Sequence, residues 1–240
     1  MYSIVIMAVH LFKTIATKFR FSKVNDVTIK VVFRHFQQGD PFSFSPKYRA
    51  WERCHASCAA HNDDRVIQTA NDLLYFLLAW SPPKTNLPLV NEGARLVPLV
   101  RMLKEERYKT LFDCSAKLLD RAETQRLVLA LASNISIFLK DNNMCSTITD
   151  DTVTTTIMWA ATGCIVPYDP LSRKGMRIAQ ALPDSFSVGG LSTLSRFYTA
   201  HEQEFDSIRT QLGNRMFSSL PDALLLGIYF HQLGEDYIGT

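Results

Sequence analysis

The residues best placed to do chemistry stand in the stretch Thr162-Gly163-Cys164-Ile165-Val166-Pro167-Tyr168-Asp169-Pro170. Gly163 is a natural end for a helix, and the two prolines stiffen the apolar turn that follows. Tyr168 and Asp169 are thereby held at the mouth of the next helix. Two uses of Asp169 fit this setting. It is an N-cap, the common use of an aspartate before a proline. It is equally a carboxylate on a rigid turn, presented as a proton acceptor or for a cation. Tyr168 beside it can donate to an oxyanion or relay a proton. Just beyond, Arg173, Lys174 and Arg177 place three cations in five positions. That suits a phosphate-facing helix start, and equally a solvated helix face.

Three further constellations carry polar chemistry. In Trp80-Ser81-Pro82-Pro83-Lys84 an apolar helix stops in a basic loop, where Trp80 can stack on a base and Lys84 can meet a phosphate. The competing reading is a core tryptophan and a surface lysine. In the apolar run Leu220 to Gly234, His231 and Gln232 stand where they can line a pocket, although a core histidine is the simpler reading. In Cys54-His55-Ala56-Ser57-Cys58-Ala59-Ala60-His61, the spacing puts Cys54, Cys58 and His61 on one helix face. A structural zinc needs a fourth ligand, and no second Cys/His pair supplies one. The small residues instead read as a face for close helix packing. No metal and no cofactor are expected. There is no GxGxxG, P-loop, GxSxG or HExxH motif.

The elements that must position these residues are almost all helices. Apolar periodicity and punctuation predict helices over 49–61, 65–80, 92–108 with a bend at Pro98, and 113–140. Others are predicted from Asp150 or Asp151 to Gly163, over 171–182, over 191–212 and over 221–234. Only Val27 to Phe33 is β-branched enough for a short strand, in an N-terminal segment of about 45 residues that is the least legible part. The expected fold is mostly α: one compact multi-helix domain over residues 1–240, with room for one short N-terminal β-hairpin. The absence of βα alternation argues against a Rossmann-like enzyme.

Composition agrees and excludes little else. The 240 residues are 47% hydrophobic and 20% charged, which excludes a disordered or collagenous chain. Five cysteines are an odd number, thinly spread, and read as reduced thiols of a cytoplasmic protein. The apolar opening Met1 to Phe12 lacks a basic start and a cleavage site, and is too short to span a bilayer. No membrane partner is expected. The net charge of +3 neither requires nor excludes a nucleic acid.

The turn, the Trp80 helix end and the C-terminal run together resemble a family of small, functionally uncharacterised bacterial proteins. Those proteins carry a Trp-Gly-Met helix end followed by Arg, a Gly-Cys-Val-Pro-Ala-Tyr-Asp turn, a Phe-Tyr helix and a terminal Tyr-Phe-Trp-Gln-Ile-Gly. Leu77, Trp80 and Lys84 match the first, Gly163, Cys164, Tyr168 and Asp169 the second, Phe197 and Tyr198 the third. Tyr229, Phe230, Gln232 and Gly234 match the last. This chain departs at Ser81-Pro82, in place of Gly-Met, and at Leu224 and Gly227, in place of a Lys and an Asp. The turn resembles helix-hairpin-helix DNA glycosylases in architecture only, since Gly-x-Gly is missing and the nearest upstream lysine is Lys140.

In size and helical character the chain is also similar to the fungal arginine-containing cyclodipeptide synthases. That resemblance implies aminoacyl-tRNA as substrate and a diketopiperazine as product, and it carries over no residues. Under it, Asp169 is the acid that pairs an arginyl guanidinium or accepts a proton, and Tyr168 assists at the oxyanion. Trp80, His231 and Gln232 would bind substrate, and Lys84, Arg173, Lys174 and Arg177 the tRNA phosphates. The alternative is a non-catalytic helical protein that binds nucleic acid or serves in defence.

Overall fold

Buried apolar side chains recur along the chain at helical spacing, and the helices follow them. A computed structural model describes residues 46–60, 63–80, 93–112, 114–144, 151–181, 185–213 and 220–236. The strand expected at Val27–Phe33, His61 and Lys84 all lie outside these residues. Among the described residues there is no strand, and no helix is long and apolar enough to cross a membrane. The protein is mostly α.

Helices α1 (Pro46–Ala59) and α2 (Val66–Trp80) pack on each other. Helix α2 buries Val66, Thr69, Ala70, Leu73, Phe76, Leu77 and Trp80, a stripe at the expected three- and four-residue spacing. After α3 (Val97–Leu103) and two 3-10 turns, α4 (Ala122–Asp141) leads to α5 (Asp151–Thr162). Every residue of α5 from Thr154 to Thr162 is buried, so α5 runs through the core, with α1, α2 and α4 against it. Gly163 closes α5 with φ of +64°, a left-handed conformation that glycine adopts without strain. Then come α6 (Pro170–Ile178), α7 (Val188–Ala200), α8 (Glu202–Gly213) and α9 (Asp222–Asp236). The most extensive helix pair is α6 against α9. Buried side chains from Tyr48 to Leu233 form one contiguous apolar cluster.

Three expected helices differ in the structure. The helix expected over 92–108 is a 3-10 turn at Gly93–Leu96, then α3, then a 3-10 turn at Glu106–Leu111. Pro98 stands in the first turn of α3, where its missing N–H costs nothing, so it starts a helix instead of bending one. The helix expected over 113–140 begins only at Ala122. Before it, Ala116–Asp120 is a 3-10 turn whose Lys117 N–H donates to the Ser115 side chain. The helix expected over 191–212 is two, broken at His201.

Candidate functional site

The turn between α5 and α6 is held by α5 itself. The Tyr168 N–H donates to Thr155 Oγ1 at 2.9 Å, and Thr152 Oγ1 donates to the Tyr168 carbonyl at 3.2 Å. Cys164, Ile165 and Val166 are buried beneath it, and burial pushes the Cys164 thiol up to about 12, so it stays an unreactive thiol at neutral pH. Asp169 is the N-cap of α6. Its Oδ1 accepts the N–H groups of Leu171 at 2.9 Å and Ser172 at 3.1 Å, and its Oδ2 accepts the Ser172 hydroxyl at 2.6 Å. From α9, His231 Nδ1 stands 3.6 Å from Asp169 Oδ1. That is ion-pair range and longer than a hydrogen bond, and among the described residues Nδ1 has no hydrogen-bond partner.

Burial works to raise the Asp169 carboxyl, but His231 and the two Ser172 donors outweigh it and hold the group below its usual 3.8. The carboxylate is therefore ionised at neutral pH and a weak proton acceptor. A depressed folded-state pKa means that the stabilisation is present above the unfolded value and fades as pH falls through the folded one. Asp169→Ala is expected to cost about 2 kcal/mol at pH 7, a cap plus a charge-assisted bond. In urea titrations at a series of pH values, the gap between wild type and variant should be constant from pH 7 to about 5 and shrink below about 3.8. A gap that widens in acid would contradict this assignment.

The structure brings Asp169, His231 and Trp80 together. The rings of Trp80 and His231 lie 5.2 Å apart. Trp80 is buried, with Tyr48, Phe76 and Trp159 against the same ring and Lys47 Nζ 5.4 Å from its centre. It packs His231 into place. Gln232 follows His231 on α9 and is half-buried. Tyr168 does not join this group. Its ring meets the Phe186 ring at 5.5 Å and lies 5.9 Å from the Arg173 guanidinium carbon. Successive side chains on such extended backbone diverge, and Asp169 is extended at φ −69°, ψ 163°. Lys174 is half-buried and Arg177 exposed on the same short helix.

One group near Asp169, the Tyr48 phenol, escaped sequence reasoning. Burial first, then the negative charges of Asp169 and Glu235, push the Tyr48 phenol above its ordinary range, so α1 as well as α9 borders the carboxylate. Position 227, where the resembled family has an Asp, is filled from the other side. A Cβ on Gly227 would stand 3.0 Å from the Trp159 ring, and Leu224 is fully buried. The Lys/Asp pair of those proteins has no polar counterpart there. Cys54 and Cys58 are both buried on α1, and no group of three His, Cys, Asp or Glu among the described residues is arranged to hold a metal ion.

Asp222, the first residue of α9, forms a second polar centre beside a cavity of about 420 Å³ lined also by Tyr198 and Arg209. Nothing in the sequence marked it beyond the Pro221-Asp222 helix start. The described chain is thus a mostly helical protein in which a buried aspartate at a helix N-terminus pairs with a half-buried histidine. No family model, curated protein or solved structure matches it.

Proposed function

We propose that the chain is an aminoacyl-tRNA-dependent cyclodipeptide synthase in which His231, oriented by Asp169, is the general base. The observation that supports this is the 3.6 Å contact between His231 Nδ1 and a carboxylate already fixed by the α6 backbone. A carboxylate so placed orients an imidazole and stabilises the charge it gains in taking a proton. The amine of one aminoacyl-tRNA attacks the ester carbonyl of the other. Its proton passes to His231 and then to the ribose oxygen that leaves as the ester C–O bond breaks. The second amine closes the ring in the same way and releases the second tRNA, with no redox change. Lys174 and Arg177, on the helix that Asp169 caps, supply charge for phosphates. Asp169 positions the base in this scheme and is not itself the acceptor, because its lowered pKa makes the carboxylate a weak base.

The decisive experiment is expression in a bacterial host with mass spectrometry of the medium. Wild type is expected to release an arginine-containing diketopiperazine, and His231→Asn to reduce it by about 10²–10⁴-fold, with circular dichroism and Tm close to wild type. A wild type that releases none sinks the proposal. The non-catalytic nucleic-acid-binding reading draws on the complete use of Asp169 as a helix cap. It expects RNA affinity that falls steeply with salt and is indifferent to His231→Asn.

A further inference from the structure

Two buried polar atoms on the far side of the turn have no hydrogen-bond partner among the described residues: the Tyr168 hydroxyl and Arg173 Nε. Tyr168 is only 1% exposed, so its hydroxyl lies buried at the turn. Leaving such groups unpaired costs free energy, and native structures rarely do so. The Arg173 guanidinium stands over the Tyr168 ring, 5.9 Å from its centre. Arg173 is also not locked by Asp151, the acid it meets among the described residues. Its terminal nitrogen is 3.8 Å from Asp151 Oδ2, beyond hydrogen-bond range, and that oxygen already accepts the Phe186 N–H at 3.4 Å.

Arg173 Nε can only donate, and the phenol donates readily, so what completes both is an acceptor. One of the donors is cationic, which favours an anion over a neutral carbonyl. Lys174 and Arg177, one and four positions further along α6, add positive charge. We infer that Tyr168 and Arg173 form an oxyanion subsite that takes a phosphate group. It is separate from the His231–Asp169 pair, and the inference does not depend on the acyl-transfer reading. The same chemistry is offered by free phosphate and by the phosphodiester of a single-stranded RNA.

The test is thermal unfolding of the full chain in chloride against inorganic phosphate at matched ionic strength, repeated with a short single-stranded RNA and with adenosine. Wild type is expected to gain about 3–6 °C at ten times the dissociation constant. Tyr168→Phe, which removes only the hydroxyl, and Arg173→Lys, which keeps the charge but loses Nε, should each weaken the phosphate response at least about tenfold. Both variants should match or exceed the wild-type Tm in chloride, since each removes an unpaired donor, which shows that they fold. A gain with inorganic phosphate identifies a free-anion site, and a gain with RNA alone a polynucleotide site. No gain with either, an equal gain with adenosine, or undiminished gains in both variants would overturn the inference. Diketopiperazine production reports on His231 separately, so failure of one reading leaves the other measurable.

Discussion

Gly175→Ala is expected to unfold the α6–α9 pair, with a loss of at least about 3 kcal/mol and about 10 °C in Tm. A Cβ at position 175 would stand 1.8 Å from the Phe230 carbonyl oxygen and 2.6 Å from its carbon. These are backbone atoms of a buried helix, so no rotamer change relieves the clash. Helix α9 returns the same constraint, since a Cβ on Gly234 would stand 1.9 Å from the Leu171 carbonyl oxygen. The two helices must separate, and apolar contacts around Met176, Phe230 and Leu233 go with them. Alanine's better helix propensity returns only about 1 kcal/mol. Gly189→Ala is the internal control: its nearest neighbour would be Ser187 Oγ at 3.9 Å, and a change within about 0.5 kcal/mol is expected. The consequence reaches the site. Asp169 heads α6 and His231 rides on α9, so their 3.6 Å contact exists only because two glycines let the backbones meet. Chemical denaturation of both variants checks the coupling. Equal stability of Gly175→Ala and Gly189→Ala would refute it.

How much of this was legible depends on how local its cause is. Helix α5 and its end at Gly163, the cap at Asp169 and the start of α9 at Pro221-Asp222 are written in neighbouring residues, and the sequence reading places them within a residue or two. The break at His201 is not. No proline or glycine marks it. The His201 ring packs on Phe197 and its Nδ1 pairs with Glu204, while Tyr198 and Phe205 stack across the bend at 5.5 Å. Periodicity alone carries an apolar stripe straight through such a bend. The site divides the same way. Asp169 as a cap is a local fact, whereas its pairing with His231 spans sixty-two positions and depends on the glycine contact. Tyr168 and Asp169 read as one catalytic unit because they are adjacent, yet an extended backbone sends adjacent side chains apart. Trp80 reads as a stacking platform because it ends a helix before a basic loop. Four aromatic neighbours instead make it part of the packing that seats His231.

Asp222→Ala should be the most damaging change of a single charged residue, costing about 3 kcal/mol. One carboxylate joins four segments there. Its Oδ2 accepts the Ser115 hydroxyl at 2.7 Å and the Ala116 N–H at 2.9 Å, fixing the start of the 3-10 turn before α4. Its Oδ1 accepts the Tyr198 hydroxyl of α7 at 2.7 Å and the Arg209 guanidinium of α8 at 2.5 Å. Arg209 also donates from Nε to the Leu220 carbonyl at 3.1 Å and pairs with Asp206. Removing the carboxylate strands several donors at once. Breaking a buried pair costs roughly 3–5 kcal/mol, but Arg209 is 31% exposed and can turn to Asp206 and water, which sets the estimate at the lower end. Asp222→Asn should recover little, because its amide presents donors where donors already converge. Tyr198→Phe removes one of the four bonds and should cost about 1 kcal/mol alone. In the double variant the two losses should fall short of additivity by about 1 kcal/mol, the part they share. Strict additivity by urea denaturation would mean that the Tyr198 hydroxyl and Asp222 act independently. Asp222 would then be only an anion in the first turn of α9, worth about 0.3–1 kcal/mol through the helix dipole.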